Sequence, residues 1–448
     1  MRRFLITLLC LGWFVQANAQ SELTLPLMSD VFQSSYINPT VIPEHTFSLG
    51  LPGMSSVYFQ AITNGFLPVN FIDFRHDSAI IVPSKFLGEL QKGNLIDANT
   101  KIDIFHMRIK VRNGYYWVGA RTNMEVSMMY PKELISLPLE GNVPYIGKNM
   151  DFSDLKLNAT LYNEYSFGMA KELNRWIFGG RISLLQGLTN VQFDPKSFNI
   201  VVDSATYKIV GNANASLNTA GIPKNGAGDP SFDHVQEVKY ITDYLTNFKN
   251  RGFALSGGVT YKLDDRTNFT FAFSDLGYIN WKDSVTNYTL NGQSTLPLDI
   301  ISTFLNKKDI SLDTIMDEFN RDTLTKEYRT YLHPKYLLSA SYKPFRRTSL
   351  YLTASGVYNK KLYPAYTFGI SQGVGRFFNL MANLSYNQRT FRNLGFGLVI
   401  KPGPFQIYVI ADNIYPAISP LYITNANIRV GLNFVFGRVK PAIGLPYR

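Results

Sequence analysis

The sequence predicts an all-β fold: a transmembrane up-and-down antiparallel β-barrel of about fourteen strands with long external loops. Apolar and polar residues alternate along many stretches, long and short links alternate between those stretches, and the chain begins with an export signal. In the stretch 427–437, one face includes Arg429 and Asn433. The other face is wholly apolar and consists of Ile428, Val430, Leu432, Phe434 and Phe436.

Fourteen stretches alternate with a period of two, which is the period of a β-strand. Most are long enough to cross a bilayer as a tilted strand, which takes about 9–11 residues. Two shorter β-like pieces, 198–210 and 285–291, fall inside long insertions and are not counted. The predicted strands are 45–59, 101–112, 115–128, 157–171, 176–190, 252–263, 267–280, 335–345, 348–359, 363–375, 377–390, 393–401, 405–414 and 426–436.

The links between these strands indicate how the barrel is oriented. Short turns are expected at 112–114, 173–174, 264–266, 345–347, 375–376 and 402–404. The longest insertions, 191–251 and 281–334, fall between them. Outer-membrane barrels have short periplasmic turns and long external loops, so we expect an even strand number with both termini at the short-turn end.

The N-terminus has the three parts of a secretory signal peptide. Two arginines precede the apolar stretch 4–15, and an A-x-A cleavage site follows at 17–19, so Gln20 is expected to be the first mature residue. The only cysteine, Cys10, lies inside this segment. The mature chain is therefore predicted to have no disulfide, no thiolate metal ligand and no thiol nucleophile.

The chain divides into four parts: the signal peptide 1–19, an N-terminal segment 20–44, the barrel 45–437 and a C-terminal tail 438–448. The protein is expected in the cell outer membrane after export and cleavage of the signal peptide. The formal net charge of +11 favours anionic surroundings such as lipid phosphates. We therefore expect membrane lipid and lipopolysaccharide as partners, and export argues against nucleic acid.

The apolar strand faces are expected to lie against lipid. A soluble barrel would turn these faces inward, and a single strand does not distinguish the two arrangements. The signal peptide, the strand lengths and the loop asymmetry favour the membrane, as do aromatic residues near strand ends, which form girdles at the interfaces. The expected girdle residues are Tyr115, Tyr116, Trp117, Trp176, Tyr261, Trp281 and Tyr415.

Four short motifs make the sequence similar to a known family. They are S-Y-I-N-P-T at 35–40, F-S-D-L-G-Y-I-N-W at 273–281, V-I-A-D-N-I at 409–414 and R-V-G-L-N-F-V-F-G at 429–437. They resemble an uncharacterised family of Bacteroidota outer-membrane barrels, a domain of unknown function, related in shape to the long-chain fatty-acid (FadL-like) transporters. The resemblance implies fourteen strands and a plug formed by 20–44, including Asn38 and Pro39; the alternative is a disordered periplasmic leader.

Charged residues on the predicted inward faces allow two interpretations. In the structural one, Arg and Glu pair with each other, brace the wall and hold the N-terminal segment, because buried charges need partners. In the functional one, they form a basic passage that selects anionic solutes. The mixture of both signs favours the first. The lumen candidates are His106, Arg108, Lys110, Arg112, Arg121, Glu125, Glu164, Arg181, Arg389 and Arg429.

The two longest insertions contain apolar residues at helical spacing. Each run follows a suitable N-cap, Asp233 in one insertion and Ser311 in the other. The resemblance to fatty-acid transporters implies an apolar entrance for a hydrophobic ligand, whereas the alternative is packing on the barrel rim. The ligand candidates are Val238, Leu245, Phe248, Ile315 and Phe319.

No residue pattern predicts catalysis, a cofactor or a metal site. The run G-I-S-Q-G at 369–373 matches the nucleophile-elbow pattern, but that motif requires a strained strand-to-helix turn, and these residues lie within an alternating strand. The five histidines lack the H-x-x-x-H spacing of a metal site.

Three functions from different classes remain. The leading one is passive transport of a small hydrophobic or amphipathic molecule through a plugged barrel, with an apolar pocket near the external helices. The alternative is a non-conducting barrel that serves as a docking or shuttle subunit of secretion or cell-surface machinery, with the two long insertions binding a protein. A lipid-modifying enzyme would need a Ser–His pair at the bilayer edge, and the sequence shows no such constellation.

Overall fold

A closed ring of fourteen antiparallel strands forms the wall of the protein in the computed structural model. Each wall strand pairs with the next one along the chain, and the last strand pairs with the first. Closing the ring removes the open sheet edge, which hydrocarbon does not tolerate. The structure describes residues 22–63, 70–75, 78–222, 245–296, 320–359, 361–387, 390–419 and 425–438.

The wall strands are numbered β1 to β14 along the chain. β1 has two pieces, His45–Gly50 and Val57–Thr63, and both pair with β2 on one side and β14 on the other. The others are β2 (Gly93–Val111), β3 (Gly114–Pro131), β4 (Lys156–Leu173), β5 (Trp176–Val202), β6 (Arg251–Lys262), β7 (Thr267–Trp281), β8 (Lys335–Phe345), β9 (Thr348–Asn359), β10 (Lys361–Val374), β11 (Phe378–Asn387), β12 (Thr390–Ile400), β13 (Phe405–Ala411) and β14 (Asn425–Arg438).

The predicted strand number is confirmed, and the main difference lies in β5. The prediction ended this strand at residue 190. In the structure β5 runs for 27 residues, and its pairing with the following strand shifts register at Pro195. Its upper part continues into a sheet beyond the wall, whose further strands are Ile209–Ala220, Thr286–Leu296 and Asn320–Leu324.

The remaining elements are short and connect or precede the wall strands. The α-helices are Pro83–Glu89, Glu133–Glu140 and Tyr415–Ile418, and the 3₁₀ turns are Leu25–Leu27, Phe32–Tyr36 and Val143–Tyr145. Small strands lie at Ile72–Arg75, Ser78–Ile81, Asn149–Asp151 and Tyr328–Tyr331. Over the described ranges, no helix combines the length and the hydropathy that crossing a membrane requires.

The outer face of the wall is apolar, and many of its inward side chains are polar. On β14, the outward Ile428 is 47% exposed, whereas the inward Asn433 is fully buried. The same contrast recurs around the ring, for example between the exposed Phe167 and the buried Gln186. An exposed apolar belt this continuous needs lipid to cover it. The protein is therefore a transmembrane β-barrel, and the apolar face of β14 lies against the bilayer.

Three of the expected girdle residues lie inside the barrel instead. Tyr115, Trp117 and Trp281 are at most 2% exposed. Trp281 was expected in the girdle because it lies near a strand end, but an irregularity in the pairing of β7 with β6 reverses the alternation before it. Trp176 does face outward, and its ring lies 4.6 Å from that of Tyr261.

A charge on the lipid face should destabilise the barrel according to depth. Val430 lies near the middle of β14, and Phe436 lies on the same face near its end. Val430→Arg should lower the free energy of unfolding by about 2–4 kcal/mol, and Phe436→Arg by only about 0–1 kcal/mol. Urea titration in lipid vesicles measures both. Equal losses at the two positions would contradict a lipid-facing β14.

Candidate functional site in the barrel lumen

The N-terminal segment, residues 22–44, contacts inward-facing groups on several sides of the ring. The carboxylate at the end of β13, Asp412, accepts the backbone N–H of Thr24 at 2.7 Å. Further around the ring, Gln33 donates to Asp103 of β2 at 2.8 Å. Most of the segment is buried, so it lies within the barrel.

Asn38 and Pro39 place the segment directly against the wall. A Cβ at Gly179 of β5 would lie 2.3 Å from the carbonyl oxygen of Pro39, so only glycine allows this approach. The side-chain oxygen of Asn38 accepts from the backbone N–H of Thr40 at 3.1 Å and from its hydroxyl at 2.7 Å. The Thr40 hydroxyl then reaches that of Thr260 on β6 at 2.6 Å.

Glu22 anchors the other end of the segment through three cations of the wall. One carboxylate oxygen lies 2.6 Å from Lys101 Nζ and 3.5 Å from Lys335 Nζ, and the other contacts the guanidinium of Arg429. Burial alone would raise the pKa of Glu22, but the charges of Lys101, Arg429 and Lys335 outweigh it and hold the pKa well below its usual range.

A second charged cluster braces the neighbouring wall strands. Asp275 lies 2.7 Å from Arg181, 3.2 Å from Lys335 and 3.7 Å from Arg121. Glu164 lies 2.6 Å from Arg121 and 3.5 Å from Arg181. Because Lys335 contacts both Glu22 and Asp275, the two clusters form one network that extends across the lumen.

The remaining predicted lumen residues stand apart from this network. Glu125 accepts a hydrogen bond from Tyr162 at 3.3 Å, and Lys110 lies 5.9 Å from the Tyr115 ring. Arg112 is exposed at the turn between β2 and β3. Arg389 lies outside the described residues. Roles for these side chains in the lumen stay predictions.

His106 and Arg108 form a separate group on β2, next to the N-terminal segment. The His106 ring stacks on Phe32 with 3.8 Å between centroids, and its Nε2 lies 3.0 Å from the hydroxyl of Ser48. The guanidinium carbon of Arg108 lies 4.7 Å from the Phe32 ring centroid and 5.1 Å from that of Trp117.

An apolar strip also lies on the inner wall, among polar inward side chains such as Asn383 and Gln406. Leu27 and Met28 of the N-terminal segment approach Gly369 and Gly397 of the wall, where a Cβ would collide with either side chain. This apolar strip belongs to β8, β9, β11, β12 and β13 and consists of Leu337, Tyr351, Met381, Val399, Tyr408 and Ile410. The lumen therefore presents both charged and apolar surface to the N-terminal segment.

Four residues of the network were missed by the sequence analysis: Glu22, Lys101, Asp275 and Lys335. The pairing of β2 with β3 shifts register at 103–105, which turns Lys101 inward where strict alternation places it outward. Ser256 faces both Ser274 and Asp275 in the bulge of β7, where Asp275 has φ of +60°. The position of Asp275 within the quoted motif at 273–281 was the one signal in the sequence that could have identified it.

The described parts of the external loops do not form the expected apolar entrance. Phe248 stacks against Tyr165 at 5.6 Å between centroids, and Leu245 is 46% exposed. A recess of about 390 Å³ nearby has a polar lining: Lys249, Arg251, Asn280, Lys282 and Asp283. Val238, Ile315 and Phe319 lie outside the described residues.

The G-x-S-x-G run lies within the regular strand β10 and does not form the strained strand-to-helix turn of a nucleophile elbow. Residues 369–373 pair in register with both β9 and β11, and the Ser371 hydroxyl donates to Asn379 at 2.9 Å. Within the ranges that the structure covers, no group of three His, Cys, Asp or Glu side chains could hold a metal ion.

The fold and the site define a class: a transmembrane barrel whose lumen holds its own N-terminal segment through a charged network. The chain belongs to a family of unknown function, DUF5723, whose model matches residues 39–412. The resemblance to an uncharacterised barrel family is thereby confirmed. No curated protein matches the sequence.

Several solved barrels are similar to this chain in architecture. The toluene transporter TodX of P. putida has a TM-score of 0.46 at 8% identity over 91% of this chain and 95% of that chain. The toluene transporter TbuX of Ralstonia pickettii scores 0.44 at 9% identity, covering 91% and 94%. A FadL homologue of Pseudomonas aeruginosa scores 0.43 at 8% identity, covering 94% and 100%.

Removing the anchor charge should loosen the N-terminal segment. Glu22→Gln leaves Lys101 and Arg429 buried without their carboxylate, a change that costs about 3–5 kcal/mol when a buried pair loses one partner. Amide exchange across 22–41 should therefore speed up strongly. Glu44→Gln is the matched control, because Glu44 is exposed in the same segment. Equal protection in the two variants would show that Glu22 is not the anchor.

Acid should release the same anchor, but only well below the ordinary glutamate pKa of 4.5. A carboxyl whose pKa is lower in the folded state stabilises that state fully above its unfolded pKa and loses this contribution as the pH falls through the folded-state pKa. Protection of 22–41, corrected for intrinsic exchange, should stay constant from pH 7 to about 5 and fall at more acidic pH. Glu22→Gln should lack this acid step; if it keeps the step, another group is responsible.

Proposed function

We propose that the protein is an outer-membrane barrel for passive passage of a small hydrophobic or amphipathic molecule, with its N-terminal segment acting as a movable plug. The observation that carries this proposal is the amphipathic lumen, in which an apolar strip on β8, β9 and β11–β13 lies beside a charged network with members on β2, β7 and β8. A water-filled pore for polar solutes has no need of such a strip, because its interior is polar throughout.

The N-terminal segment supports this role by the way it covers the strip. Leu25, Leu27, Met28 and Val31 bury the wall side chains that a hydrophobic solute would contact. They are held by noncovalent contacts alone, so a solute that takes their place restores the lost apolar burial, worth about 25 cal/mol per Å². Replacing the apolar side chains of the segment by an apolar solute therefore lowers the net free-energy cost of moving the segment.

The ion pairs between the N-terminal segment and the wall oppose its displacement. Moving the segment separates Glu22 from Lys101, Lys335 and Arg429, but Lys335 keeps Asp275 as a partner at 3.2 Å. The lumen also becomes wetter as the segment leaves, which lowers the penalty for the separated charges. The plug is therefore strongly held yet displaceable.

The alternative function, a docking or shuttle subunit, has its own support. The upper part of β5 and the strand Ile209–Ala220 carry a sheet beyond the wall, and a sheet of this kind offers surface and edges to a protein partner. This reading requires a lumen that stays closed. Permeation therefore separates the two functions.

The proposed passage predicts a defined effect of charge in the apolar strip. Cells displaying the wild type should take up an uncharged hydrophobic fluorophore faster than cells without the barrel. Met381→Asp should slow this uptake several-fold, because an unpaired carboxylate then interrupts the strip on β11. Ser385→Asp adds the same charge to the same inward face, outside the apolar cluster.

The control variant Ser385→Asp should retain most of the uptake. Ion conductance recorded in parallel shows whether either variant merely dislodges the N-terminal segment. Uptake that is the same with and without the wild-type barrel would contradict the transport proposal and favour the docking role.

A further inference from the structure

Arg108 differs from the other buried cations of the lumen. Its side chain is 1% exposed, yet none of its three guanidinium nitrogens has a hydrogen-bond partner among the described residues. Arg121, Arg181 and Arg429 all lie against carboxylates. A buried guanidinium without an anion is costly, so its retention calls for a compensating partner.

Further unsatisfied polar atoms lie around Arg108. The indole N–H of Trp117, which pairs in register with Arg108, has no acceptor within the described chain. Gly168 leaves room for this indole, because a Cβ there would lie 2.5 Å from Trp117 Nε1. His106, two residues away on the same face, has its Nε2 engaged by Ser48 and its Nδ1 unpaired over the same part of the structure.

We propose that Arg108 and Trp117 form a binding site for one small oxyanion, a carboxylate or a phosphate, that the N-terminal segment covers. The planar guanidinium offers parallel N–H donors that match two oxygens of such an anion, and the indole offers a further donor. A monatomic anion lacks the paired oxygens that this arrangement fits.

Phe32 connects the site to the N-terminal segment. Its ring lies over Arg108 and stacks on His106, so an oxyanion gains full access only when Phe32 moves away. A ligand that binds one of two states shifts the equilibrium toward that state. An oxyanion at Arg108 therefore favours the displaced segment, and the site couples ligand arrival to opening.

The inference rests on the proposed function for the displacement of the segment, and it adds a ligand class to it. Two sources could supply the group: free inorganic phosphate, or the carboxylate head of an amphipathic solute. In the second case Arg108 would contact the head of the solute, while the apolar strip contacts its tail.

Amide exchange of residues 22–41 in the purified full-length mature barrel tests the site. Inorganic phosphate, octanoate and uncharged octanol are titrated separately, with sodium chloride holding the ionic strength constant. We expect saturable, several-fold faster exchange with phosphate or octanoate and none with chloride alone. A response to octanoate but not to phosphate or octanol identifies the amphipathic source, and a response to phosphate alone identifies the free ion.

Two variants assign the response to Arg108. Arg108→Met should abolish it, whereas Lys110→Met, which removes the same charge two residues along the same strand face, should preserve it. Phe32→Leu removes the aromatic ring that covers Arg108 and should tighten oxyanion binding several-fold. This variant still tests the oxyanion site if Arg108→Met does not fold.

The proposal is overturned if the wild type shows no saturable oxyanion response, if Arg108→Met keeps it, or if Phe32→Leu leaves the affinity unchanged or weaker. Hydrophobic uptake that persists under any of these outcomes would leave the transport proposal standing and remove only the oxyanion site.

Discussion

The need to pair every backbone N–H and C=O within hydrocarbon governs the rest of this structure. A closed ring of fourteen strands meets that need, and the period of two then sends alternate side chains to lipid and to the lumen. Charges on the inward face are cut off from bulk water once a chain segment fills the lumen. Buried charges need partners, so Glu22 brings a carboxylate to Lys101 and Arg429.

The same requirement explains why the network is shared between wall and segment. Asp275 and Glu164 hold Arg121 and Arg181 within the wall, so these four charges remain paired whatever the segment does. Glu22 instead contacts cations on strands that are distant in sequence, and when its carboxylate is removed these cations repel one another. The wall is thus braced independently of the segment, which is the condition a displaceable segment requires.

All fourteen wall strands follow from the period of two, because lipid on one side and a largely polar lumen on the other impose that period locally. The residues of the site are harder to predict from the sequence. Lys101 and Asp275 lie at or beyond register irregularities, where alternation reverses without any change in composition. The partnership of Glu22 with Arg429 spans nearly the whole chain, and no local pattern encodes it.

The amphipathic lumen also bears on whether a filled barrel can conduct. A lumen filled by wall side chains alone would have to repack in order to open, at the cost of close-packed contacts on both sides. Here the apolar filling comes from Leu27 and Met28 of one continuous segment, placed against Gly369 and Gly397 of the wall. Such a segment can leave as a unit while the wall keeps its backbone pairing and its internal ion pairs. Opening is then a question of the free energy that anchors the segment, which the ion pairs of Glu22 increase and an oxyanion bound at Arg108, as proposed above, decreases.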